Sequence, residues 1–405
     1  MAETRVPRDG RVRFGTVDGD LRVGERAEID VDRTLSVTGG ARFDGDAVVH
    51  GDMECRSFRS DDGEVRVEGH LFVQEDIETH DGSLDVRGEL KARHVDADRG
   101  LVLGGPATAE QFDVGGKLEG AQTLTARKVS VGGKLELAGR LTAESVEAGG
   151  AVDLNEVAID SLEVGGVVRL GGGVVRQRVE VGGKFTALAP LEFGSLEVGG
   201  VARFHDQARG GRVEAGGMLT ADKDLTFEDL EVGGVGSIEG NGKGRNVEVG
   251  GRFSVHGSLE LSGRLEVGGE ISVGGSLSGN SLEVGGKIGA HRAVFQGPVE
   301  IGGAVSTSEG LKASRIEIGR KSRASGPLIG GDVQLDARAV AQDIYGDTVR
   351  LGTRAEAARI FARRVMLDEG ASVDQVTFTE ALEVRDGARI RTSPQKVAAL
   401  PPFPL

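Results

Sequence analysis

Eleven glutamates recur once per repeat, each two residues before a glycine: Glu147, Glu163, Glu180, Glu197, Glu214, Glu231, Glu248, Glu266, Glu283, Glu300 and Glu317. If their segments stack as neighbouring strands, the carboxylates lie ~4.8 Å apart. Adjacent charges then repel by roughly 1 kcal/mol at bulk dielectric. Something must offset that cost, and the column reads as a candidate acidic interaction stripe for a cation or a basic partner. The simpler reading is a solvated face copied by repeat duplication. Lys117, Lys134, Lys184, Arg252, Lys287 and Lys321 follow glycines of the same repeat and are expected to help across the corner.

Other chemistry finds less support. His50, His205, His256 and His291 share one position of the repeat. Two or three strand spacings separate the later ones, roughly 10 to 14 Å, too far to share a zinc. The single cysteine, Cys55, falls on an inward small-residue position and is expected to be an inert buried thiol. No GxxxxGK[ST], GxSxG, HExxH or CxxC is present, and the nearly loop-free repeats leave no wall for a cleft. The expectation is a non-enzyme with no cofactor and no metal. A net charge of −15 argues against a nucleic-acid partner, which needs a clustered positive face. No stretch approaches the length of an apolar membrane span, so membrane contact is expected to be peripheral at most, and a cytoplasmic location is expected.

The elements that carry these residues follow from the repeat. Paired glycines begin at Gly115 and recur to Gly302, with a single Gly319 after them; the intervals are 17 residues except for one of 16 and one of 18. In the repeat from Gly132, apolar or small residues fall in pairs two apart: Leu135 and Leu137, Leu141 and Ala143, Val146 and Ala148. A spacing of two is a strand with alternate side chains on one face. Three short strands and three corners therefore make one coil, with Gly132, Gly133 and Gly139 at corners where positive φ costs glycine little. Coils stack in parallel and in register around a narrow core, and within each inward column large and small residues should compensate.

The pattern predicts an all-β, three-sided parallel β-helix of about 21–22 coils from about Leu21 to about Ile390, with a polar tail at residues 1–20 and a proline-containing tail at 391–405. Ala355 to Val365 has a helical composition, but the phase around it predicts more strand. No coil buries enough to stand alone, so stability comes from stacking and the terminal coils offer open ladders. Phe361, Phe378, Leu382 and Val384 are the candidate end-contact residues.

The VEVGGKLEL-like coils at VEVGGKFTA, LEVGGVARF and VEVGGRFSV, with the YGDTVRLG run at Tyr345 to Gly352, resemble the bactofilins. That resemblance implies a right-handed β-helix and end-to-end homopolymers formed without nucleotide. It further implies a scaffold that positions other cytoskeletal or cell-envelope proteins and supports cell shape. The chain departs from the family in having roughly three times the usual number of coils and in an N-terminus, MAETRVPRDG, without the hydrophobic membrane-targeting segment. The alternatives are a monomeric β-helix binding module or surface spike and, further off, a transferase or glycan-processing enzyme.

Overall fold

The computed structural model describes residues 3–403, in two compact units, Met1–Gly200 and Val201–Leu405. Both are all-β parallel solenoids; the chain makes about 23 turns of roughly 17 residues, with no helix among the described residues. In the first unit, Gly100–Leu103, Ala107–Thr108 and Gln111–Val114 form one turn. Each strand pairs in parallel with the strand 17 residues on: Gly100 with Lys117, Ala107 with Leu124, Gln111 with Lys128. The second unit repeats the scheme, with Met218 opposite Val235, Leu225 opposite Gly242 and Asp229 opposite Asn246. Glu356–Leu367 is a strand, as the surrounding phase requires.

Inward columns hold the core. Phe112, Leu118, Leu124 and Val129 in the first unit, and Leu219, Leu225, Phe253 and Leu259 in the second, are fully buried. Size compensation is direct. Gly236 is paired with Phe253 on the next turn, and a Cβ on Gly236 would lie 2.7 Å from the Phe253 ring. Gly120 stands in the same relation to Leu137.

The paired glycines are glycine for a different reason from the one expected. Gly132 and Gly133 are not among the positive-φ residues. A Cβ on Gly132 would instead lie 2.3 Å from the carbonyl oxygen of Gly115 on the turn before, and one on Gly233 would lie 2.3 Å from that of Gly216. Tight stacking of the corner backbone, rather than torsional freedom, excludes a side chain here. Variation in turn length is absorbed at corners: the register slips between Leu137 and Arg140 and between Ile159 and Ser161, while the strands on either side stay paired.

Both boundaries extend beyond the expected ones. Residues 1–20 were expected to form a loose tail, but Glu3–Val6 pairs with Asp20–Val23, and Arg11–Val17 pairs with Ala27–Val37. Alternate Val6, Val12, Phe14 and Val17 supply a turn that outward-facing Arg5, Arg11 and Arg13 make look polar. A Gly10 N–H to Pro7 carbonyl bond of 3.1 Å and left-handed Asp9 shape its corner. At the other end the ladder continues past residue 390: Arg389–Ile390 lies on Ser372–Val373, and Gln395–Lys396 on Thr377–Phe378. Pro394 falls between these strands, where its missing donor interrupts no ladder.

Candidate interaction surfaces

The predicted glutamates form continuous outward columns within each unit. Glu147, Glu163, Glu180 and Glu197 are successive partners in the first, and Glu214 to Glu317 are successive partners in the second. Each is exposed or half-exposed, as the period-two alternation requires.

Their repulsion is offset by bases the spacing argument missed. Arg178 lies 2.8 Å from both Glu180 and Glu197, Arg212 3.0 Å from both Glu214 and Glu231, and Arg264 2.7 Å from both Glu266 and Glu283. Lys128 reaches Glu147 at 2.9 Å, and that hydrogen bond raises the lysine pKa. Each arginine stands two residues before its own glutamate, hence on the same face of the strand, and forks to the carboxylate of the next turn. Of the across-corner bases expected to do this work, Lys117 pairs with Glu119, Lys134 bonds Glu136 at 2.6 Å and Arg252 lies 3.7 Å from Glu270, while Lys184, Lys287 and Lys321 have no ion-pair partner among the described residues. Glu163, Glu248 and Glu300 have no ion-pair partner among the described residues, and Glu317 has only Arg315 at 4.0 Å. Beside Glu283, Glu300 and Glu317 the bare glycine corners Gly285, Gly302 and Gly319 leave a shallow groove of about 260 Å³.

Two of the four candidate end residues lie at an end. Leu382 and Val384 pair below with Val365 and Leu367, and no described strand lies above them. Val384 is 48% exposed, whereas Val365 and Leu367, one turn inside, are 1% exposed. Phe378 is covered by Lys396 of the last strand. Phe361 belongs to the side of the solenoid: its neighbours Ile360 and Ala362 point inward, so its ring points out and stacks on Tyr345 at 5.0 Å. Phe403 from the C-terminal segment meets Tyr345 at 5.8 Å, and Ile329, outward in the same column, is only 2% exposed. The segment thus reaches the side face, and at the end of the stack Leu382 is half-buried and Val384 exposed. At the other end of the chain, Val12 and Phe14 of the first turn are half-buried, while their partners on the next turn include fully buried Ile29.

The histidines pair with carboxylates rather than with one another: His50 with Glu68 at 2.9 Å and Glu28 at 3.6 Å, His205 with Asp222 at 2.7 Å, His256 with Glu239 at 3.0 Å and His291 with Glu309 at 3.1 Å. The Glu68 bond holds His50 above its ordinary pKa. No group of three or more metal-ligating side chains occurs among the described residues. Cys55 is 2% exposed, and burial pushes its thiol up to about 12, far from the thiolate needed for reactivity. No family model, curated protein or solved structure matches the chain.

Proposed function

We propose that the chain is a bactofilin-like scaffold subunit that assembles end to end into nucleotide-independent filaments. The observation that carries this reading is the open last turn. Leu382 and Val384 occupy inward positions with nothing stacked on them, beside an unpaired strand edge. An unpaired edge and an apolar end recruit another ladder. Covering the two side chains contributes about 1.5–3 kcal/mol for each one fully buried. The partly exposed Val12 and Phe14 offer the same kind of surface on the first turn. A filament of this kind displays its repeating outward columns to other cytoskeletal or cell-envelope proteins, and so positions them and supports cell shape.

Negative-stain electron microscopy of the full chain and of Val384→Asp tests the reading. Filaments a few nanometres wide that the substitution abolishes are expected. Single particles of one fixed length from the unaltered chain at every salt concentration would mean blunted ends, and would favour the monomeric binding module.

A further inference from the structure

The corner that carries the acidic column of the second unit changes sign near its C-terminal end. Glu283, Glu300 and Glu317 are successive partners, and the next two positions of the column are Gln334 and Arg350. Over the same turns the bare glycines give way to Lys321, Arg338 and Arg354. These three stack: the Lys321 N–H donates to the carbonyl of Ala337, beside Arg338, and the Arg338 N–H donates to that of Thr353, beside Arg354, each at 3.0 Å. With Arg320 and Arg323 they make five exposed cations, none with an ion-pair partner among the described residues, although most other arginines of this acidic chain have one. The acids of the same corner strip are Asp336, Glu356 and, on the turn after Arg354, Asp368, which pairs with Arg350 and Arg385, and Glu369, whose carbonyl accepts from the Arg354 N–H at 3.0 Å.

Conformation makes the cations more telling. Lys321, Arg338 and Arg354 have φ of 59°, 61° and 58°, a left-handed geometry that favours glycine; the same corner on the following turns is Gly370 and then Gly387. Three consecutive turns hold a long basic side chain where glycine is the unstrained choice, and unlike left-handed Arg26, which pairs with Asp9, none of the three makes an ion pair among the described residues.

We propose that this basic column binds the acidic column of a second copy of the chain, side by side and antiparallel about a two-fold axis at the turn of Gly319. That axis sets Lys321 opposite Glu317, Arg338 opposite Glu300 and Arg354 opposite Glu283, each pair made twice. Both columns share one rung spacing because both are read from the same ladders, so the charges stay in step. The carboxylates are under-neutralised, with Glu300 unpaired, and the groove over Gly285, Gly302 and Gly319 gives an incoming basic side chain room to reach them. A parallel, staggered arrangement makes each contact once; the two-fold makes it twice and closes the pair. The contact is lateral and does not depend on the end-to-end reading.

The test uses the full chain carrying Val384→Asp, so that side-by-side pairing is read apart from end contacts, by sedimentation velocity in 50 mM and 500 mM salt. A dimer at low salt that dissociates at high salt is expected, because exposed ion pairs are screened. Lys321→Glu with Arg338→Glu and Arg354→Glu should weaken the pair at least tenfold, as should Glu283→Lys with Glu300→Lys and Glu317→Lys. Mixing the two reversed chains should restore a dimer. Replacing the three basic residues by glycine should also abolish pairing while raising Tm by about 2 °C or more, since strain is relieved, which excludes misfolding as the cause. A monomer at 50 mM salt, a dimer that survives either reversal, or a mixture that stays monomeric would overturn the proposal. So would a monomer whose basic column instead drives binding to phosphatidylserine vesicles or to DNA.

Discussion

Gly236 and Phe253 give the sharpest test of the core. A Cβ built on Gly236 lies 2.7 Å from Cδ2 and 3.1 Å from Cε2 of Phe253, and that ring is fully buried between Gly236 below and Ile271 above. Gly236→Ala therefore forces the ring out of its rotamer or the turns apart, an overpacking cost of about 1–3 kcal/mol. Phe253→Leu alone loses buried carbon and leaves a cavity, about 1–2 kcal/mol on the scale of large-to-small changes. Made together, the smaller side chain vacates the space the new methyl needs, and the pair should cost less than the sum by about 1 kcal/mol or more. Long repeats need not unfold as one unit, so the measurement is hydrogen exchange read peptide by peptide over Val235–Ile238 and Arg252–Val255, converted to local opening free energies. Additivity within about 0.5 kcal/mol would mean that the column does not compensate and that the turns absorb volume by spreading.

Phe403→Ala should uncover the aromatic strip. Tyr345 is the only tyrosine in a chain without tryptophan, so iodide quenching of its fluorescence should increase, and its pKa, raised chiefly by burial, should fall toward the ordinary value. Asp96 is held above its ordinary pKa by burial, with Asp98 and Asp113 adding repulsion. A raised native pKa means that stability is lost as pH rises from the ordinary carboxylate range through the native value. Asp96→Asn should thus raise Tm at pH 7 by roughly 1 °C, a solvent-screened effect that vanishes near pH 3 in a melting series. Cys55 should resist a disulfide reagent in the folded chain and react only as urea opens the stack; prompt labelling without urea would place the thiol outside the core.

The glycine pairs and the two-residue spacing made the turns legible, because the pleat forces alternate side chains inward and chain length per turn is bounded by three short strands. Parity also held the answer at Phe361: with Ile360 and Ala362 inward, an outward ring follows, and nearness to the chain end said nothing about facing the stack end. The same parity pointed to Arg178, Arg212 and Arg264, which stand two residues before their glutamates; the expected neutralisation across the corner ignored that a corner turns side chains away from each other. The first turn was obscured because outward Arg5, Arg11 and Arg13 dominate its average polarity. No spacing rule revealed the left-handed corners at Lys321, Arg338 and Arg354, since without glycine the residues carry no mark of their conformation.

The slips in register at Leu137/Arg140 and Ile159/Ser161 have a use beyond tolerating a missing residue. Corners act as expansion joints: an added segment there is excluded from the ladders, and the strands above and below it need not know its length. Foreign peptides grafted between Leu137 and Arg140 would be presented as outward loops at a fixed height on the solenoid. Joints repeated at successive turns would space such loops by whole multiples of the ~4.8 Å rung, making the chain a graduated ruler on which binding segments can be set at chosen intervals.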